Sequence, residues 1–264
     1  MRVIDFHTHA FPDEIAARAI AKLEAESPWK AVAAGTVAAL LESMDSTGIE
    51  VSVLCTIATK PDQAKGILEW CGKVRSSRIV PLPSVHPDTP DGPSWVHRIA
   101  EAGFPGIKLH PMYQEFPADD ERMDPIYGAV ADTGLFIVFH CGLDIAYPPD
   151  DDRASPVRLA SVVRRFPDLK VVCTHLGGWR MWGEVRKHLL GSGVHMETSF
   201  TLAELGPAKV AEIIRAHGPD RILFGTDWPW ARQDGELANF MRLGLDEGQA
   251  RGILCDNSAR LLGL

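Results

Sequence analysis

The alternation of short apolar runs with helical segments is the feature that most constrains this chain. Eight runs rich in Val, Ile, Leu and Phe predict strands, and segments with apolar residues at helical spacing separate them. The fifth run, 135–140, is almost continuously apolar, which is typical of a strand buried on both faces of a parallel sheet. Strands and helices that alternate in this way predict a parallel α/β fold.

Length decides between two ways of arranging these repeats. With 264 residues, 45% of them hydrophobic, the chain can form two small domains or one barrel. No linker rich in Ser, Gly and Pro divides it, so we expect one domain over residues 1–264. Eight repeats favour a single (β/α)8 TIM barrel with C-terminal closing helices. A doubly wound open sheet is the alternative, but neither GxGxxG nor GxxxxGK[ST] follows a predicted strand.

Charge and cysteine content restrict the partners and the compartment. The net charge of -8 and the pI near 5.7 argue against nucleic acid or an anionic membrane, because both bind a basic face. We therefore expect a small-molecule substrate, and homo-oligomerisation is left open. The first predicted strand follows Arg2 directly, without an apolar signal region, so we expect a cytoplasmic protein. The five cysteines lack CxxC spacing, which favours reduced thiols over disulfides.

Polar residues stand where the predicted strands end. His7 and His9 lie two apart in the first strand, so their side chains share one face and can bind the same divalent cation. The carboxyl ends of barrel strands meet at one rim, where active sites lie. Neutral imidazoles with a carboxylate suit Zn²⁺ or another first-row dication. The later strand-end residues are His86, His110, His140, His175 and Asp227.

Four ordered motifs carry a family resemblance. The segments DFHTHAFP, FHCG, THLGG and ILFGTDWPW resemble the amidohydrolase superfamily, specifically the branch with aminocarboxymuconate semialdehyde decarboxylase and lactone hydrolases. The likeness extends to the closing NSARLLGL. It implies a metal-dependent TIM-barrel enzyme that holds one divalent ion, with Zn²⁺ first and Mn²⁺ or another first-row dication as alternatives. The implied ligands are His7, His9, His140 and Asp227, and the implied acid/base is His175.

Lys108 and His110 share one face of the fourth predicted strand. In the binuclear branch of the superfamily, a carboxylated lysine on this strand bridges two metals. The setting GIKLHP more closely resembles the one-metal branch, which often keeps a basic substrate contact there. We therefore expect Lys108 to be unmodified and to bind the substrate together with His110.

Loop residues on the same predicted rim supply further candidate substrate contacts. Tyr113 and Trp230 can wall the pocket. Arg153 and Arg180 can bind a substrate carboxylate through two parallel hydrogen bonds, or they can pair with acidic residues 150–152.

These residues favour metal-dependent hydrolysis of an amide, ester or lactone in a small, carboxylate-bearing substrate. In that reaction Asp227 accepts a proton from water and His175 acts as acid or base. Non-oxidative decarboxylation of an unsaturated or aromatic acid on the same metal is the alternative. A third class, a metal-binding barrel without catalysis, would need His175 to be replaced or the open ligand position to be filled, and the sequence shows neither.

Overall fold

Eight strands alternate with helices in the computed structural model, which describes residues 2–264. Strands β1 to β3 form one sheet in that order, and β4 to β8 form a second. The β1–β2 pair and the successive pairs from β4 to β7 are parallel. The strands are β1 Ile4–Thr8, β2 Val51–Cys55, β3 Ile79–Leu82, β4 Gly106–Leu109, β5 Phe136–Phe139, β6 Lys170–Cys173, β7 His195–Glu197 and β8 Ile222–Leu223.

The helices follow the predicted order. The residue pattern over 246–262 predicts one closing helix, and a π-helical turn, Gly252–Asp256, divides it. Asp62 precedes an apolar helical segment and is therefore a candidate N-cap, but the N-cap of that helix is Gln63, without a side-chain hydrogen bond. The helices are α1 Asp13–Glu26, α2 Val37–Thr47, α3 Ala64–Val74, α4 Gly92–Glu101, α5 Asp124–Thr133, α6 Pro156–Arg165, α7 Trp182–His188, α8 Leu202–Leu205, α9 Pro207–His217, α10 Gln233–Phe240, α11 Glu247–Arg251 and α12 Asn257–Leu262.

The residues group into two compact units, and the first comprises the chain up to Leu54, Ser76–Val80 and Glu197–Leu264. In this unit β1 lies beside β8, because Phe6 donates its N–H to Phe224 O at 2.7 Å. The residue after the β8 turn, Asp227, donates its N–H to His7 O, also at 2.7 Å. These bonds bring the end of β1 next to the segment that follows β8.

A fully buried carboxylate, Asp5, ties β1 to that same segment. It accepts hydrogen bonds from Thr226 N at 3.0 Å, Thr226 Oγ1 at 2.6 Å and Gln233 Nε2 at 2.8 Å. Burial raises the pKa of Asp5 to about 7, although these hydrogen bonds act to lower it. The run 221–226 predicts a longer strand, but Gly225 N and Thr226 N donate to the side chains of Thr198 and Asp5, so they do not continue β8.

The second unit comprises Cys55–Arg75 and Pro81–Met196. Its strand β5 is buried along its whole length, as its apolar sequence predicts. The loops after β5 and β6 are joined by Trp179 N donating to Cys141 O at 2.9 Å, and by Leu143 N donating to Trp179 O at 3.0 Å. Gly142, in the FHCG motif, has φ +90, and a Cβ there would lie 2.1 Å from Trp179 N. Glycine is therefore required at this crossing.

All five cysteines are buried, and none of them forms a disulfide within the described residues. Within residues 2–264 no helix combines the length and apolarity needed to cross a membrane. The single domain and the cytoplasmic location stay predictions.

Candidate metal centre and active site

Three of the predicted ligands come together in the first unit. His7 Nε2 lies 3.0 Å from His9 Nε2, because both side chains leave the same face of β1. Asp227 Oδ1 lies 3.1 Å from His9 Nε2 and 3.5 Å from His7 Nε2. Asp227 has φ +63, a left-handed conformation that is uncommon for residues other than glycine. We call His7, His9 and Asp227 the ligand triad.

The ligand triad has the spacing that a metal ion requires. Ligand atoms placed tetrahedrally at metal distances of about 2.1 Å lie about 3.4 Å from one another. The three separations here are 3.0, 3.1 and 3.5 Å, and the donor set is two imidazoles and a carboxylate. His7 is buried, with 1% of its surface exposed. The residues therefore fit a divalent cation.

The other nitrogen of His7 is held from β7. His7 Nδ1 lies 3.1 Å from Glu197 Oε1 and 3.2 Å from Ser199 Oγ. Glu197 also accepts hydrogen bonds from Ser199 N at 2.6 Å and Ser199 Oγ at 2.8 Å. The segment 195–200 predicts a longer strand, but Ser199 N donates to a side chain, so Ser199 does not continue β7 beyond Glu197.

A second group of imidazoles occupies the second unit. The rings of His110 and His140 are stacked, with centroids 4.1 Å apart and planes inclined by 10°. Asp144 Oδ2 lies 3.4 Å from His110 Nε2 and 4.0 Å from His140 Nε2. His140 Nδ1 lies 3.3 Å from His175 Nε2. With Asp144, these two stacked histidines form a set of donors that could also hold a cation.

Burial disfavours the charged form of His140. It lowers the pKa of His140 well below the ordinary value, and the neighbouring His110 and His175 lower it further. Neutral imidazole is the form that binds metals. Its role as the fourth ligand stays a prediction.

His175 and Lys108 are two further candidate site residues in the second unit. His175 is buried and has φ +56, and Trp182 Nε1 donates to its carbonyl oxygen at 3.1 Å. Lys108 is fully buried, and its Nζ has no hydrogen-bond partner among the described residues. The salt bridge to a rim carboxylate that could explain a lysine here is therefore not formed.

The two predicted carboxylate-binding arginines lie against neighbours. Arg153 Nε donates to both carboxylate oxygens of Asp151, each at 2.9 Å, which is the pairing that the sequence left open. This bond holds the pKa of Asp151 below its usual value. The Arg180 guanidinium lies 4.1 Å from the centroid of the Trp179 ring. Their roles as substrate contacts stay predictions.

The two aromatic candidates lie beside polar groups of their own units. Tyr113 packs edge-on against His110, with ring centroids 4.6 Å apart. Trp230 donates its backbone N–H to Asp227 O at 2.9 Å. Their contact with substrate stays a prediction.

Sequence reasoning missed three buried carboxylates, and Glu197 is the one whose side chain bonds to the imidazole of His7. Asp5 and Glu197 are fully buried, and Glu236 is 6% exposed, with a pKa raised to about 7 by burial. For two of these carboxylates the sequence contains a recognisable signal, an acidic residue inside a predicted strand. These are Asp5 in VIDFH and Glu197 in HMETSF. A charge is costly to bury, so each such residue needs partners.

Comparison with known proteins bears on the family. A family model described as Amidohydrolase matches residues 4–264. A curated relative, the L-fucono-1,5-lactonase of Burkholderia ambifaria, is 28% identical over 170 residues. That alignment covers 57% of this chain and 55% of the lactonase, so the chain matches about half of the relative's length.

Solved structures share the fold. An uncharacterised TIM-barrel protein of Bordetella bronchiseptica has a TM-score of 0.79 at 19% identity, covering 100% of this chain and 99% of that chain. The 5-carboxyvanillate decarboxylase of Sphingomonas paucimobilis has a TM-score of 0.76 at 17% identity, covering 100% and 99%. The Novosphingobium aromaticivorans 5-carboxyvanillate decarboxylase, complexed with manganese, has a TM-score of 0.75 at 16% identity, covering 100% and 96%. The predicted (β/α)8 TIM-barrel fold is thereby confirmed.

Proposed function

Because this chain belongs to the amidohydrolase family, we propose that it is a metal-dependent hydrolase acting on a lactone, ester or amide. The substrate is small and carries a carboxylate. The ligand triad is the observation that carries this proposal, since its three donor atoms have the separations expected around one cation. The lactonase relative supports hydrolysis as the reaction.

One divalent metal ion would be held by His7, His9 and Asp227, with His140 as the fourth ligand. Zn²⁺ is our first choice, and Mn²⁺, which is present in one structure of the same fold, is the second. When bound, the ion would act as a Lewis acid and would lower the pKa of bound water toward neutral pH. A second metal bridged by carboxylated Lys108 is the less favoured alternative.

The proton transfers fall to two side chains. Asp227 accepts a proton from the attacking water at a carboxylate oxygen. His175 exchanges a proton at its imidazole with the developing oxyanion or the leaving group. Both residues have left-handed backbone conformations, φ +63 and φ +56, and such strain is retained mainly where it orients functional groups.

Decarboxylation of an unsaturated or aromatic acid is the second candidate. Lys108 supports this alternative, because a buried ammonium without a partner can bind the carboxylate that is lost in such a reaction. Two structures with this fold are named as decarboxylases. The lactonase is related at the level of sequence, so hydrolysis stays first.

Metal analysis combined with a substrate screen tests the proposal. The purified protein is assayed for bound metals, stripped with a chelator and reloaded with Zn²⁺ or Mn²⁺. Each form is offered lactones, esters, amides, and unsaturated and aromatic acids, and release of CO₂ is measured separately from hydrolysis. We expect hydrolysis that disappears with the metal and returns on reloading. Release of CO₂ without hydrolysis would establish the second candidate, and full activity in the stripped protein would refute both.

The substitution Lys108→Met tests the proposed carboxylate contact. Methionine has a similar length but no charge, so a substrate carboxylate would lose one charge-assisted hydrogen bond. Such bonds contribute about 1.5 to 3 kcal/mol, so we expect KM to rise about 10-fold to 100-fold. The thermal midpoint should rise as well, because a buried ammonium without a partner is removed.

The matched control for Lys108→Met is a neutral lactone that lacks the carboxylate, whose KM should not change. An equal rise of KM for both lactones would show that Lys108 does not bind the carboxylate. A carbamate on Lys108 would favour the two-metal alternative.

A further inference from the structure

We infer that Glu197 is a positioning residue for the metal. Its carboxylate fixes the orientation of the His7 ring and determines which of the two ring nitrogens is protonated. This inference rests on the proposed function, because it concerns the ion that His7 would bind. Glu197 is not a member of the ligand triad, and it contacts the triad through the imidazole ring of His7.

The contacts of His7 determine which nitrogen is free to bind metal. Nδ1 lies 3.1 Å from Glu197 Oε1 and 3.2 Å from Ser199 Oγ. A carboxylate only accepts hydrogen bonds, so Nδ1 carries the proton and donates it. Nε2 is then the unprotonated nitrogen, and Nε2 is the atom that faces His9 and Asp227.

The carboxylate of Glu197 is itself held in place. Its Oε2 accepts from Ser199 N at 2.6 Å, and its Oε1 accepts from Ser199 Oγ at 2.8 Å. Glu197 and Ser199 are both fully buried, so their positions are set by packing as well as by hydrogen bonds.

Gly225, in the segment that follows β8, leaves the space that the Glu197 carboxylate occupies. A Cβ at this position would lie 2.2 Å from Glu197 Oε2 and 3.1 Å from His7 Cβ. Any side chain there would displace Glu197 from its place against the His7 ring. The glycine of the FGTD motif is thus explained by the space that Glu197 occupies.

The energetic expectation comes from metal sites in general. A ligating histidine usually donates its second N–H to a carboxylate or carbonyl, and loss of that partner lowers metal affinity about 10-fold to 100-fold. Glu236 provides a matched control in the same unit. It is also a buried carboxylate, but its electrostatic neighbours are Glu197, Asp5 and Asp227, and His7 is not among its hydrogen-bond partners.

The test measures Zn²⁺ affinity of chelator-stripped protein by competition with a chromophoric chelator. Glu197→Asp keeps the charge but shortens the side chain, and Glu197→Gln keeps the length but removes the charge. We expect both to weaken Zn²⁺ binding about 10-fold to 100-fold. Glu236→Asp and Glu236→Gln should leave the affinity close to that of the unsubstituted protein. The visible spectrum of bound Co²⁺ should change only in the Glu197 variants, because it reports ligand geometry.

Each outcome decides a different question. Unchanged Zn²⁺ affinity in either folded Glu197 variant would overturn the positioning role. Equal weakening of Zn²⁺ binding in the Glu236→Gln and Glu197→Gln variants would attribute the effect to the loss of any buried negative charge in this unit. That result would also overturn the positioning role of Glu197. Failure of the unsubstituted protein to bind either Zn²⁺ or Mn²⁺ would refute the proposed metal site, and this inference with it.

Discussion

Replacing His7 with alanine is expected to remove the metal and the activity together. His7 is one of two imidazoles whose Nε2 atoms lie 3.0 Å apart, so its loss leaves His9 and Asp227 as the only members of the ligand triad. Loss of a partner behind a ligand already lowers metal affinity about 10-fold to 100-fold, so loss of the ligand itself should lower it more than about 100-fold. The measurement is metal content and turnover on one preparation.

A matched control for this prediction is His97→Ala. His97 is an exposed residue of α4, outside both groups of candidate site residues. The His97 variant should keep its metal and its rate. Stoichiometric metal in the His7 variant would remove the ligand triad from the proposed site.

The substitution His175→Asn is expected to lower turnover by about 10² to 10⁴ while metal content stays nearly unchanged, the range typical of losing a general acid or base. Asparagine keeps a polar side chain of similar size but cannot exchange a proton near neutral pH. His175 is buried, and its Nε2 lies 3.3 Å from His140 Nδ1, so its ring is held in one orientation. The rate and the metal content are measured on the same sample.

The companion variant is His140→Asn, for which the opposite result is expected. If His140 is the fourth ligand, its loss should lower metal content and rate in parallel. Loss of metal in the His175 variant would make His175 a ligand and favour the two-metal alternative. An unchanged rate would exclude His175 from the mechanism.

The order of the elements was predictable because it depends on local patterns. Apolar periodicity is a property of neighbouring residues, so the sequence indicates where β5 and α1 lie, and α1 begins at Asp13 as predicted. The histidines at strand ends were found in the same way, because strand alternation places His7 and His9 on one face. The family and the barrel fold follow from four motifs in a fixed order, which the family model bears out.

The ends of the strands and the carboxylates behind the site depended on tertiary structure. Strands β7 and β8 are shorter than their apolar runs, because Glu197 and Asp5 take the N–H groups of Ser199 and Thr226. The pair formed by His7 and Glu197 joins residues 190 positions apart, and Asp5 and Thr226 are 221 positions apart. Periodicity reports only on neighbours in the chain, so it could place these acids in strands but could not assign their partners. Their partners were determined by packing, because a buried carboxylate is stable only where the fold brings donors to it.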